Sequence, residues 1–375
     1  MLRIFVTGDQ HIGLKYASHE QAAKLSAARI AAFEAMVQKA NEEQCALFVI
    51  TGDLFENTYG VTKKDIKALL ELLCRFQGTV AVLPGNHDYY DKSVKVWQYF
   101  KDVMAAYDNI MLLTEYRPYE LELQGQRTVL YPALCTSLHS EPGQNNLGWI
   151  KQTPIVPDDA YHIGIAHGAV EGETIDSEGQ YFLMKRSELE RIAVDVWLIG
   201  HTHVPFPKNL TGEFTACENI FNAGTHVQTD VSCNTEGLCM VVEIGDDKTV
   251  RGKKVVSGNL RFYRKHIQVS ANEMKDILHR ELSPLPAWSV VDLILTGAIT
   301  AEEYEDRTRI IEEALSRFVE GTYNDYALSR LISKALIDGE FPETSFSAGL
   351  LTALLADPKE AQLAYELLRS LKEGK

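Results

Sequence analysis

Thiol chemistry has little to work with in this chain. Its 375 residues hold six cysteines, Cys45, Cys74, Cys135, Cys217, Cys233 and Cys239, and none form a CxxC pair. That excludes a thiolate zinc knuckle or a dithiol redox motif, and the scattered thiols read as reduced and mostly buried. Positive charge is also scarce: 37 Lys+Arg stand against 52 Asp+Glu, a net charge of −15. No global field draws such a chain to nucleic acid or an anionic membrane, so any nucleic-acid contact must be local. Long apolar runs are missing too. The longest uncharged apolar stretch, Ser347 to Ala356, has about ten residues where a membrane span needs roughly eighteen. Met1 to Thr7 meets Asp9 before a signal-peptide core has formed, so a cytoplasmic protein with no membrane association is expected. Internal repeats, low-complexity tracts and a Gly-x4-Gly-Lys-Ser/Thr phosphate loop are absent as well. Any ATP dependence would have to come from another chain.

With 45% hydrophobic and 24% charged residues, the chain has the composition of a globular protein, and its length suits one large domain plus a smaller one. Five apolar runs each end in a polar cluster. They are Leu2 to Val6, Ala46 to Ile50, Thr79 to Leu83, His162 to Ala166 and Val194 to Ile199, and they read as strands buried on both faces. Helical patterns lie between them, over Ala22 to Ala40, after a Thr62/Asp65 capping pair, and after a Ser187/Glu190 pair. The alternation predicts a layered α/β fold. From about Leu210 to Val256, glycine-punctuated alternation predicts antiparallel strands. A boundary is expected near residue 265. Beyond it lie capping boxes at Ser270/Glu273 and Thr300/Glu303, one strand at Val290 to Leu295, and otherwise mostly helix.

Side chains just past the carboxyl ends of such strands converge on one rim of the sheet. Here those ends carry Asp9 and His11, Asp53, Asn86 and His87, His167, then His201 and His203. Any one of these clusters alone is an ordinary surface turn, and Asn86 alone suits a turn. Five in succession after apolar strands point instead to a metal centre. Carboxylate, imidazole and amide donors suit borderline first-row ions such as manganese, iron or zinc, whereas calcium asks for more oxygens and structural zinc for thiolates.

The set Asp9-x-His11, Gly52-Asp53, Gly85-Asn86-His87-Asp88, His167 and Gly200-His201-x-His203 resembles the five-part signature of the calcineurin-like metallophosphoesterases. Within that superfamily, Asp9-Gln-His-Ile-Gly, Gly52-Asp-Leu-Phe and Val82-Leu-Pro-Gly-Asn-His-Asp are most similar to SbcD-type DNA repair exonucleases. The resemblance implies a layered β-sandwich core flanked by helices over residues 1–265, and a smaller α+β cap or partner-docking domain over 266–375. It implies two divalent metals, manganese foremost, with iron or zinc as alternatives. Asp9, His11, Asp53 and His203 would hold one, Asp53, Asn86, His167 and His201 the other, with Asp53 bridging. Such a pair activates water for in-line attack on phosphorus. His87 would stabilise the transition state or protonate the leaving oxygen, while Asp88 would either orient His87 or cap a helix ahead of Tyr89.

The expected activity is metal-dependent exonuclease or endonuclease hydrolysis of DNA. Alternatives are a small-molecule or cyclic-nucleotide phosphodiesterase and a metal-bearing scaffold acting through a partner ATPase. Expected partners are DNA and an SMC-like ATPase of SbcC type, and a homodimer is compatible. Phe55-Glu56-Asn57 and Asp88 depart from the phosphoprotein phosphatase pattern. Glu56, where the family often has Asp, and Asn222-Ala-Gly-Thr-His226 depart from the nuclease pattern at positions that are not metal ligands. His226 reads as a hydrogen-bonded loop histidine. Lys15, Tyr16, Lys63, Lys64, Lys92, Lys95, Tyr89 and Tyr90 are either DNA contacts or ordinary surface residues.

Overall fold

The computed structural model describes residues 1–14, 16–173, 176, 179–233 and 235–373. They divide into two compact units, Met1–Arg261 and Phe262–Lys375. The first half of unit 1 runs β1 (Leu2–Thr7), α1 (Ala22–Glu42), β2 (Leu47–Ile50), α2 (Lys63–Leu73), β3 (Thr79–Val82), α3 (Lys95–Met104) and β4 (Ile110–Leu112). It continues through β5 (Tyr119–Leu123), β6 (Gln126–Ala133), α4 (Gly148–Gln152), β7 (Tyr161–His167), α5 (Arg186–Arg191) and β8 (Val196–Gly200). Four strands follow or return to the first sheet: β9 (Thr215–Ala216), β10 (Ile220–Phe221), β11 (Leu238–Ile244) and β12 (Val250–Val256).

Two sheets result, of order β4-β3-β2-β1-β11-β12-β9 and β10-β8-β7-β6-β5. Strands β1 to β4 pair in parallel, as do β6, β7 and β8, while β11 lies antiparallel to β1. Alternation sorts the side chains. Ile4, Val6, Leu47 and Val49 share one core with Ile163, Ile165, Leu198 and Met240, between the sheets. Their neighbours Phe5, Phe48, Ile50 and Val80 point the other way, onto Phe33, Met36, Leu69, Leu70 and Phe100 of α1, α2 and α3. Tyr131, Trp197 and Ile199 cover the outer face of the second sheet with Ile150 and Leu189 of α4 and α5. The result is a β-sandwich with helices on both outer faces, the layered α/β core of the sequence reading. The apolar, β-branched strands are continuous because neither face meets water.

Unit 2 has the order β13 (Arg261–Ser270), α6 (Met274–Leu282), β14 (Ser289–Ile299), α7 (Ala301–Leu315), β15 (Glu320–Arg330), α8 (Lys334–Glu340), α9 (Phe346–Leu354) and α10 (Pro358–Glu373). Its sheet is β13-β14-β15, with β14 and β15 parallel across the α7 crossover. Leu278, Leu293, Leu295, Ile311 and Leu315 form its core. A smaller cluster of Ile332, Ile337, Ala348, Leu351, Ala361 and Tyr365 joins α8, α9 and α10.

Three local expectations need correction. The Thr62/Asp65 and Thr300/Glu303 capping boxes form, but the Ser270/Glu273 box does not. Glu303 takes the backbone N–H groups of Asn272 and Met274 as well as that of Thr300, so one carboxylate serves two helix starts. The helix assigned to Ser187/Glu190 begins at Arg186, with Glu188 accepting from the Lys185 N–H. Most of unit 2 beyond Val290 to Leu295 was expected to be helical, yet residues 320–330 are a strand. Among the described residues no helix is long and apolar enough to cross a membrane.

Candidate metal centre

The parallel strands end in tight turns, and the turns are tight because of glycine. Gly52 has φ +112°, and a Cβ there would land on the His167 ring; one on Gly85 would strike the Asp53 carboxylate. These glycines let the first and second sheets bring their polar ends together. Asp9, His11, Asp53 and His201 themselves adopt positive φ of 54°, 46°, 52° and 101°. Non-glycine residues persist in that region only where their surroundings over-determine it.

All seven expected donors meet there. Asp9, His11 and His203 form one group of converging ligand atoms, Asp53, His167 and His201 form another, and His87 converges with His11 and Asp53 between them. In the first, His11 Nε2 faces His203 Nε2 at 3.2 Å, and His203 Nε2 lies 3.9 Å from Asp9 Oδ1. In the second, His167 Nε2 lies 2.9 Å from Asn86 Oδ1 and 3.3 Å from Asp53 Oδ2, while His201 Nδ1 is 3.1 Å from the same Asn86 oxygen. Asp53 Oδ2 is also 4.0 Å from His11 Nε2, which puts this carboxylate between the two groups.

The proton positions show that these groups fit a cation. His167 Nδ1 faces the Thr51 carbonyl at 2.9 Å and must donate to it, leaving a lone pair on Nε2. That lone pair is aimed at two oxygen acceptors, one of them Asn86 Oδ1, whose amide is set by Nδ2 donating to the Leu138 carbonyl. Lone pairs facing one another in a buried site need a positive charge between them. Without a metal a proton serves: burial works against it, but Asp53 and the Thr51 carbonyl outweigh burial and hold His167 up at about 9. Burial, with Asp53 nearby, pushes the Asp9 carboxyl up to about 8. Asp53 is buried too, yet His167 and its bond hold it below the usual carboxylate range. Burial and the neighbouring imidazoles push His201 down to about 3 and His203 to about 4, so both offer neutral nitrogens.

The sequence model of the calcineurin-like phosphoesterases matches residues 2–205, more than half of the chain and all seven donors. The chain belongs to this family. Calcineurin-like phosphoesterases hydrolyse phosphoesters with a pair of metal ions, and the donors above form the centre that would hold them. Solved structures similar to this chain include TT1561 of Thermus thermophilus, at 11% identity over 67% of this chain and 97% of that one, with a TM-score of 0.41. A dimetal phosphatase from Danio rerio is similar at 11% identity over 68% and 98%, TM-score 0.35. NAD nucleotidase of Haemophilus influenzae is similar at 12% identity over 84% and 60%, TM-score 0.35.

In this calcineurin-like centre, His87 stands half-buried beside the donors. Its N–H donates to Asp53 Oδ1 at 2.9 Å, and its ring Nδ1 faces the Glu56 carbonyl at 3.0 Å. Nδ1 therefore carries the hydrogen and Nε2 is free for chemistry. Asp88 does neither of the two things expected of it. Its fully buried carboxylate accepts from the N–H groups of Gly85 at 2.7 Å and Phe55 at 3.0 Å, so it braces the third loop against the second. The nearest following helix, α3, starts only at Lys95, so Asp88 caps nothing. Burial and Asp53 push its carboxyl up to about 7.

The structure adds supports that sequence reasoning missed. Arg29 of α1 is 2% exposed and donates to the Gln10 carbonyl, between Asp9 and His11, and to the Tyr16 hydroxyl. Its signal was a lone arginine inside an apolar helical stripe. Tyr16, one candidate DNA contact, is thereby a buried structural residue. Thr225 Oγ1 donates to the Asp9 carbonyl at 3.0 Å, and Asn222 Nδ2 to Thr202 Oγ1, between His201 and His203. His226 is buried with Nε2 near the Arg29 carbonyl, the loop histidine expected. Lys63 pairs with Asp102, while Lys64, Lys92 and Lys95 are exposed and Tyr89 and Tyr90 half-buried. Lys15 lies outside the described residues.

Proposed function

We propose that this chain is a DNA nuclease of SbcD type, hydrolysing phosphodiester bonds at a pair of manganese ions and working with an SMC-like ATPase in the cytoplasm. The observation that carries phosphodiester chemistry is the pair of donor groups sharing Asp53, with His87 beside them. When bound, the metals supply an activated water and positive charge for the phosphoryl oxygens. Asp53 keeps both positions in register through a backbone held at positive φ. His167, with Nδ1 tied to Thr51, and His201 present lone pairs to one position; His11, His203 and Asp9 do so at the other. His87 Nε2, when protonated, hands its proton to the departing oxygen or bonds the charged phosphoryl group, while Nδ1–H stays on the Glu56 carbonyl.

Support for DNA over a small diester comes from the motif resemblance and from the second unit. Support for an ATPase partner comes from the motif resemblance and from α10. Leu351 and Ala361 are buried in the unit 2 cluster, but Leu363, Leu367 and Leu371 stand 60%, 58% and 76% exposed, one turn apart along the helix. A stripe of that kind suits an apolar helical partner. The deciding assay adds manganese to metal-stripped protein and follows single- and double-stranded DNA beside bis-p-nitrophenyl phosphate and cyclic nucleotides. DNA cleavage that vanishes in Asp53→Ala is expected. Turnover of the small diesters with intact DNA would replace this reading by a small-molecule phosphodiesterase.

A further inference from the structure

The stretch Asn222-Ala-Gly-Thr-His226, where the sequence leaves the nuclease pattern, lies behind two of the donor loops at once. Thr225 pairs with Gly8 in a parallel bridge, and its Oγ1 stands 3.0 Å from both the Asp9 and the Val227 carbonyl, which share its hydrogen. Its own carbonyl takes the Leu238 N–H of β11 at 3.0 Å, so the stretch is anchored from the rear. Asn222 exchanges backbone bonds with Phe206, at 3.0 and 2.9 Å, and its Nδ2 donates to Thr202 Oγ1 at 2.8 Å. The Gly224 N–H bonds Oδ1 at 2.7 Å, which leaves Nδ2 as the atom facing Thr202. Asn222 and Thr225 are both buried. One grips the loop of His201 and His203, the other the loop of Asp9 and His11.

We propose that Asn222 and Thr225 are positioning residues that fasten these two loops to each other, and that the metal position they serve is the one held by Asp9, His11 and His203. This rests on the metal-centre reading and is independent of the DNA reading. Apart from the bridging Asp53, that position draws its donors from the two fastened loops alone. The other position takes Asp53, Asn86 and His167 from three further loops. Its remaining donor, His201, has supports of its own: its N–H lies on the Asp9 carboxylate at 3.1 Å, its Nδ1 is 3.1 Å from Asn86 Oδ1, and its ring sits edge to face with His167, centroids 5.4 Å apart. His203 stands 36% exposed, and its ring meets Asp9 and His11, members of its own group. The direction of that ring therefore depends on the backbone that Thr202 fixes. Partners behind a ligand orient it, and their loss is felt as metal affinity.

The test uses the full chain, metal-stripped, with Thr225→Val, Thr225→Ser, Asn222→Ala and Thr202→Val. Calorimetric titration with manganese alone reads the two sites. Electron paramagnetic resonance reads whether the ions sit side by side, since neighbouring manganese spins couple and an isolated ion shows its own hyperfine pattern. In Thr225→Val, Asn222→Ala and Thr202→Val one site should weaken by about 10- to 100-fold while the other holds its wild-type affinity. At a manganese concentration that just fills both sites of wild type, the coupled spectrum should then give way to that of an isolated ion. Thr225→Ser keeps the hydroxyl and should behave as wild type. Asn222→Ala and Thr202→Val combined should cost no more than either alone, because they break the same bond. If Thr225→Val does not fold, Thr202→Val carries the same expectation from the other loop. Equal weakening of both sites, a coupled spectrum that survives in every variant, or Thr225→Ser as weak as Thr225→Val overturns the proposal. Wild type that binds no manganese would overturn the metal identity instead, and hydrogen exchange of the metal-free protein would still decide the role of the two residues. The His201 N–H, held on the Asp9 carboxylate, should exchange about 10-fold faster in the variants, while the Asp9 and His11 N–H groups, bonded to the Gly52 and Asp53 carbonyls, keep their rates. Unchanged exchange at His201 overturns the proposal there too.

Discussion

Asp53 is the residue on which both donor groups depend, 3.3 Å from His167 Nε2 and 4.0 Å from His11 Nε2. Asp53→Ala should abolish turnover and lower metal content toward zero, measured by elemental analysis; full occupancy in the variant would refute the bridging role. His87→Ala separates binding from chemistry. The backbone N–H that bonds Asp53 survives the substitution and the ring Nδ1 is tied to the Glu56 carbonyl, so both metals should stay while turnover falls about 100-fold or more. Parallel loss of metal would make His87 a ligand. A pH prediction follows from Asp9 and His167, lifted to about 8 and about 9. Both have folded values above their unfolded ones. The metal-free fold therefore holds protons that the unfolded chain would release, and it loses stability as pH rises, through Asp9 between about 4 and 8 and through His167 between about 6.5 and 9. Below about 6.5 His201 and His203, held low, oppose the loss, so the net fall lies between about 6.5 and 9. Metal replaces those protons. Melting temperature should fall with pH over that window in chelated protein and stay flatter in metal-loaded protein; a rise in the chelated sample would contradict the burial argument. The seven donors were legible because each follows an apolar strand, but Arg29 and Thr225 were not. They act through backbone carbonyls, and nothing in a sequence says which carbonyl a side chain will find.

At the scale of elements, the site depends on the strand-to-loop turns. Gly52→Ala adds about 1–3 kcal/mol of strain at φ +112° and drives a methyl into His167. It should lose metal from the group containing His167 and His201 before the group containing Asp9 and His203, read by manganese titration; unaltered binding would show that the turn can relax. Five of the parallel strands were readable from sequence since both of their faces are buried, while β4, three residues long, and β6, which opens on Gln126 and Arg127, were not among the runs read. Nor was β15. Its run Glu-Gly-Thr-Tyr-Asn-Asp-Tyr lies at the edge of the sheet with few buried residues, so it lacks the apolar run that betrays a strand. The Ser270/Glu273 box failed for a related reason: Glu303, thirty residues on, outcompeted the local partner, and a local pattern cannot register a distant rival.

For the molecule as a whole, the exposed leucines of α10 can be tested without dismantling unit 2. Deleting everything after residue 340 would strip the cover from Ile332 and Ile337, whereas the triple change Leu363→Glu, Leu367→Glu and Leu371→Glu touches only exposed positions. It should leave melting temperature and small-diester hydrolysis unchanged and abolish association with an SMC-like ATPase in sedimentation. Association surviving the three charges would remove α10 as the docking helix. The strand order has a further consequence during synthesis. β1 sits in the middle of its sheet, and its partner on one side, β11, is encoded more than two hundred residues later, with Leu2 opposite Ile244. At about 5–20 residues per second, a ribosome takes on the order of 10–50 s to deliver it. All seven donors emerge by His203, while β1 still presents an open, mostly apolar edge, and Thr225 has not yet arrived to fasten Asp9. The nascent chain thus carries a nearly complete ligand set on an unfinished sheet, and in that interval it depends most on chaperones to keep the bare edge from pairing with a neighbour.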